Sequence, residues 1–180
     1  MIEITFVQLF LFITILWVAV RSVITVRNRQ FTIKRELQLM LVYICLVVIA
    51  RFVYFALHRV DGKIVPLKLG LIDNPFDMIS LSPFYFLIDR YDGWLTNIIG
   101  NIAMFIPVGI VWPVCFRELD SIKKTVLAGF GFTLFIELTQ LFCPERHSDL
   151  DDLILNTTGV FIGACIVFAI RKSRSRHQSL

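Results

Sequence analysis

The sequence predicts an all-α fold: a polytopic membrane helical bundle of five transmembrane helices, with the N-terminus outside and the C-terminus inside. Three observations predict it. Of the 180 residues, 57% are hydrophobic and only 18% are charged, and the mean hydropathy is +0.75. A soluble domain usually carries about 45–50% apolar and about 25% charged residues. That excess argues against a disordered chain, a soluble enzyme and a nucleic-acid binder. Next, five stretches approach the roughly 20 apolar helical residues that cross a hydrocarbon core about 30 Å thick. Finally, Lys and Arg alternate between the connections.

The first span is Ile2–Val20, with Glu3 as its one charge. It has no basic leading segment, and its apolar run is longer than that of a signal peptide, which predicts a retained helix. The second is Leu37–Leu57, with Arg51 inside it; the third is Leu95–Phe116, the fourth Thr125–Cys143 and the fifth Leu153–Ile170. The last three carry Asn, Glu or Gln and are not simple lipid-facing rods. The organisation that follows is two N-terminal helices (1–57), an outer loop packing on the bundle (58–94), a three-helix core (95–170) and a basic inner tail (171–180).

Charge supports this count. Segments 21–36, 117–124 and 171–180 hold twelve Lys and Arg, whereas the connections on the other side hold five. Basic connections stay inside, and five spans put the termini on opposite sides. The net charge of +4 and the pI near 9.0 are therefore a topology signal. They are not the clustered basic face of a nucleic-acid binder, so no nucleic-acid partner is expected; the partner is the lipid bilayer. Ten of the fourteen acidic residues fall on the outer side. That acidic mouth is either a solvated rim or an attraction for cationic groups.

Cys45, Cys115, Cys143 and Cys165 form no paired or metal-type spacing and read as small apolar fillers. The 58–94 connection is too long and too apolar to hang free. Such loops are often functional, so it reads as a cap over the bundle or a lid over a site. In the third span Pro107 predicts a kink. Gly100, Ala103 and Gly109 permit close helix approach, as does the Gly159-x-x-x-Gly163 pair of the fifth span.

Intramembrane ionisable groups are expensive and mark functional sites by default. By residue count, Arg51, Glu137 and Asn101 each lie six residues, about 9 Å, below the outer end of a span. Asn97 is one turn above Asn101, Gln140 one turn above Glu137, and Asp152 one turn above Asn156. Four spans thus send polar groups to one slab. Either these groups line an outward-facing cavity or they join helices by hydrogen bonds. In the turn after the fourth span, Ser148 or Asp149 caps the next helix, while Arg146 and Asp152 are left for a site. His147 reads as a loop histidine. No Walker loop, HExxH or GxSxG occurs. Glu137, Asp149 and Asp152 match no recognised metal spacing, and no cofactor or metal is expected.

Three motifs carry a resemblance. They are Asn97-x-x-Gly100-Asn101-x-x-x-Phe105-x-Pro107-x-Gly109, the run Phe135 to Gln140, and Arg146-x-x-Asp149-x-x-Asp152-x-x-x-Asn156-x-x-Gly159. Together with Ser82-Pro83-Phe84, this stretch of about residues 80–170 resembles the VanZ-like family. The resemblance implies a multi-pass protein of the bacterial cytoplasmic membrane that contributes to teicoplanin resistance. It implies a phenotype and not a reaction. Combined with the polar layer, it yields a candidate site with Glu137 and Asp152 as acid–base groups. Asn97, Asn101, Gln140, Arg146, Asp149, Asn156 and Arg51 would bind the ligand. That ligand would be a cell-envelope lipid, a cell-wall precursor or the lipoglycopeptide itself. The alternatives are a scaffold whose polar layer only joins helices, and a small transporter.

Overall fold

The computed structural model describes residues 1–28, 31–56, 59–70, 74, 78–80, 82–83, 93–146 and 148–177. Among them are five α-helices and six short strands. Helices α1 (Phe6–Asn28), α2 (Ile33–Tyr54), α3 (Trp94–Cys115) and α5 (Leu150–His177) are long and apolar enough to cross a membrane. Helix α4 (Ile122–Gln140) has 19 residues and includes Lys123, Lys124 and Glu137, so it falls short of the same criterion. The chain is an all-α membrane helical bundle; length and composition mark four of its helices as spans.

The chain divides into two compact units. The first comprises Met1–Leu71 with Cys143–Glu145, and the second Ile72–Phe142 with Arg146–Leu180.

In the first unit, Ile2–Ile4 is not helical as its apolarity suggests. It is strand β1, antiparallel to β4 (Leu67–Leu69). Thr5 stops the strand and starts the helix. Its Oγ1 accepts from Gln8 N–H (3.3 Å), and its own N–H donates to Gln8 Oε1 (2.8 Å). This reciprocal capping box satisfies donors that a helix N-terminus otherwise leaves open. Helix α1 then continues past Val20 through Arg27, so the expected inner loop is largely helix. Arg21 of α1 is ion-paired with Glu36 of α2. Higher up, Thr14 Oγ1 and Tyr43 Oη share a 2.7 Å hydrogen bond. Strands β2 (Arg59–Val60) and β3 (Lys63–Ile64) form a hairpin over Asp61 and Gly62. Both turn residues have positive φ, 50° and 73°, as a two-residue turn matching the strand twist requires. Phe55, Leu67 and Cys143 form a buried core, with Phe6, Leu9, Tyr54, Ile64 and Leu69 around it. Lys68 is bonded to Glu145 at 2.6 Å, and this carboxylate holds the Lys68 ammonium above its usual pKa.

In the second unit, β5 (Ile79–Ser80) pairs in parallel with β6 (Ser148–Asp149), which leads directly into α5. Helices α3 and α5 approach through small residues. A Cβ on Gly109 would strike the Val160 carbonyl and stand 2.8 Å from Ala164 N. One on Gly159 would strike the Ile102 carbonyl, and one on Gly163 the Ile106 carbonyl. Gly129 makes the corresponding approach of α4 to Val160. Two expected contributors take no part: nothing lies within 4 Å of a Cβ on Gly100, and Ala103 is exposed. Pro107 and Pro113 both lie within the single helix α3. The Pro113 carbonyl accepts from Arg171 Nη2 at 2.7 Å. The expected basic tail is helical up to His177. Cys45, Cys115 and Cys143 are buried and Cys165 is half-buried. Of the expected cap or lid, residues 59–70 form the strands just described. Pro75, Phe84, Arg90, Asp73, Asp77, Asp89, Asp92 and most other residues of 71–92 lie outside the described residues, as does His147.

Candidate functional site

The site is built where α3 and α5 begin and α4 ends. Glu137 is in the last turn of α4 and is buried. Its Oε2 accepts from Ser148 Oγ and from the backbone N–H of Asp149, both at 3.1 Å. Ser148 and Asp149 constitute β6, so the carboxylate is held by the strand that feeds α5. Asp149 turns its own carboxylate back, accepting from Asp151 N–H at 2.9 Å and closing the first turn of α5. Negative side chains suit this helix end, where backbone N–H groups point out unsatisfied. Asp149 is thus accounted for by capping.

Asp152, three residues further on, accepts from Asn101 Nδ2 of α3. Asn101 also donates to Asn97 Oδ1, at 3.3 Å. The two asparagines are four residues apart and share a face of the helix. Asn101 is buried, while Asn97 is exposed at the rim. Asp152 is close enough to Glu137 to act on it electrostatically. Two carboxylates from two helices are therefore brought together. Each is held by neutral donors, and among the described residues neither is in an ion pair with Lys or Arg.

One turn deeper, Asn156 Nδ2 donates to Thr133 Oγ1 across α5 and α4 at 2.8 Å. Asn156 Oδ1 is buried with no hydrogen-bond donor. Such a deficit costs about 1–3 kcal/mol. Gln140 is buried at the end of α4, and Arg146 is half-buried in the turn before β6.

Of the nine residues expected at the site, the structure places Asn97, Asn101, Glu137, Asp149, Asp152 and Asn156 in these contacts. Arg51 is in the last turn of α2. It belongs to the first unit, where its guanidinium donates to the carbonyls of Phe55 and Ala56 at 3.2 and 3.3 Å and lies over the rings of Phe6 and Phe52. It terminates its own helix, whose last carbonyls lack intrahelical donors. The helix ends do not fall where the residue counts for Arg51, Glu137 and Asn101 put them. Helix α4 ends at Gln140 and α2 at Tyr54, so Glu137 and Arg51 lie only three residues from a helix end, about 4.5 Å, whereas Asn101 lies seven from its own. Three residues escaped the sequence reading. They are Ser148, which the sequence offers only as a cap, and the buried residues Thr133 and Asp151. Asn156 facing Thr133 was the available signal, a polar residue on each of two spans at matching distance from the turn that joins them. No three His, Cys, Asp or Glu among the described residues are grouped as metal ligands.

The VanZ/LLP1 family model matches residues 8–171. The chain belongs to the VanZ/LLP1 family. The match takes in α1 and α2 as well as the motif-bearing helices, so the VanZ/LLP1 pattern reaches further toward the N-terminus than residue 80. A relative described as "Protein VanZ", from Enterococcus faecium, is 32% identical over 89 residues. That alignment covers 47% of this chain and 49% of the relative, so the chain spans about half the length of the curated relative it matches. No solved structure matches the chain.

Proposed function

We propose that this VanZ/LLP1 protein binds or modifies a cell-envelope lipid or amphiphile at the Glu137–Asp152 site, and that it thereby contributes to teicoplanin resistance. The bearing observation is the carboxylate pair held, among the described residues, without an ion pair to Lys or Arg. Helix-joining hydrogen bonds need only amides and hydroxyls, such as Asn156 and Thr133. A carboxylate in the same role carries a larger desolvation cost, which the neutral donors Asn101, Ser148 and Asp149 N–H offset only in part. A polar or cationic head group, or a proton passed to a reacting oxygen, gives the two carboxylates work that amides cannot do. The Enterococcus faecium relative and the family membership support an envelope setting in the bacterial cytoplasmic membrane.

The test uses cells that express the full chain, with envelope lipids compared by mass spectrometry. Modification predicts a lipid product that is present with the wild type and absent with Glu137→Gln. Binding alone predicts unchanged lipids and a co-purified lipid that Glu137→Gln releases. Identical lipid profiles and identical co-purification for both proteins would remove the proposal.

The same reading includes five crossings, α4 among them, with the N-terminus outside. Helix α4 connects α3 to α5, and its Lys123 and Lys124 sit in its first turn, where a basic inner side would hold them. In a Cys165→Ala background, an impermeant thiol reagent should label Glu3→Cys in intact cells, and Ser173→Cys only after permeabilisation. Labelling of both in intact cells would make the number of crossings even.

A further inference from the structure

The Thr133–Asn156 pair lies one helical turn below the carboxylates and is incomplete. Thr133 is i−4 from Glu137 and Asn156 is i+4 from Asp152, so each sits under its carboxylate on the same helix face, about 6 Å deeper. Both residues are closed from solvent, at 0% and 2% exposure. Thr133 accepts from Asn156, but its own hydroxyl proton meets no acceptor among the described residues. Other helical threonines of this chain behave differently. Thr125, Thr157 and Thr158 each donate to the carbonyl four residues back, at 3.0, 2.7 and 2.8 Å. On the Asn156 side, Oδ1 is a buried acceptor with no donor. The amide orientation is the one assigned by the bond to Thr133 Oγ1; turned over, its oxygen would accept from the Thr133 hydroxyl and its NH2 group would be left without an acceptor. Buried polar groups are ordinarily satisfied, and an exception calls for a missing partner.

We infer that Thr133 and Asn156 form a binding position for one hydroxyl group. With the amide in that orientation, the missing partner must accept a proton from Thr133 and donate one to Asn156. A hydroxyl does both, whereas a carbonyl, a phosphate oxygen or an ammonium does only one. Two sources supply that chemistry: a hydroxyl of a sugar or polyol head group, or a water resident between the helices. The inference rests on reading the carboxylate pair above as a ligand site, and it adds a neutral floor that selects hydroxylated head groups.

The full chain is purified in detergent, and binding of monoglucosyl diacylglycerol and of its permethylated form is read by native mass spectrometry. Thr133→Val keeps the shape and removes the hydroxyl. If the hydroxyl belongs to the ligand, affinity for the glucolipid falls at least tenfold both in Thr133→Val and on permethylation. If it belongs to a water, the two lipids bind alike. Hydroxyl-radical footprinting of the lipid-free protein then modifies side chains beside Thr133 in spite of their burial, and Thr133→Val abolishes that labelling. Unchanged glucolipid binding and unchanged footprint in Thr133→Val overturn the inference. Glu137→Gln, measured in parallel, separates the two readings. Lost binding there with normal binding in Thr133→Val refutes the hydroxyl position alone, and normal binding in both refutes the carboxylate site as well.

Discussion

Gly109→Leu should prevent the second unit from assembling, whereas Gly100→Leu, nine residues earlier in the same helix, should leave it intact. A side chain at Gly109 meets the backbone of Val160 and Ala164, while one at Gly100 meets open space. Overpacking against side chains costs about 1–3 kcal/mol, and here the obstacle is main chain, which cannot change rotamer. Between helices in a membrane, close backbone approach is itself a main source of attraction, so the substitution also removes what it obstructs. The expected result is aggregated or degraded Gly109→Leu protein beside Gly100→Leu protein with the wild-type melting temperature in detergent. A Gly109→Leu protein that melts like wild type would contradict the packing of α3 on α5.

The contrast between those glycines shows where the sequence is legible. Helix existence and order follow from apolar length, and all five segments read as spans contain a helix. The Gly159–Gly163 spacing correctly marks a packing face. Gly100 has the same composition cue but faces away, because face assignment needs the neighbouring helix. Ile2–Ile4 is apolar enough for a span, yet β4 offers it a ladder and Thr5 with Gln8 fixes the helix start after it. The site was legible as residue types: Asn, Glu and Asp in spans have few uses. Its depth was not, because residue counts assume flush helix ends. Near a helix C-terminus an arginine has carbonyls at hand, and the sequence does not show where α2 stops.

Asn101→Leu should be the most costly change to the site's own stability. It removes one of the two α3 asparagines, Asn97 and Asn101, that hydrogen-bond Asp152, and loss of a hydrogen bond to a charged group costs about 1.5–3 kcal/mol. Adding Asp152→Leu should recover most of that loss, because a site stripped of both partners has no unmet charge. Teicoplanin protection should stay absent in the double variant, since stability returns without the carboxylate. Melting temperatures of the wild type, both single variants and the double variant form the required cycle. Additive losses would mean that Asn101 and Asp152 are not coupled.

The central claim is that the carboxylates serve a ligand and not merely the joint between helices. Glu137→Gln separates these roles, because an amide still accepts from Ser148 and Asp149 but carries no charge and cannot exchange a proton in this range. The decisive measurement is the minimum inhibitory concentration of teicoplanin for cells carrying this variant at wild-type abundance. Protection lost with an unchanged melting temperature is the predicted result. Protection retained in full, or lost only in proportion to a falling melting temperature, would contradict the account.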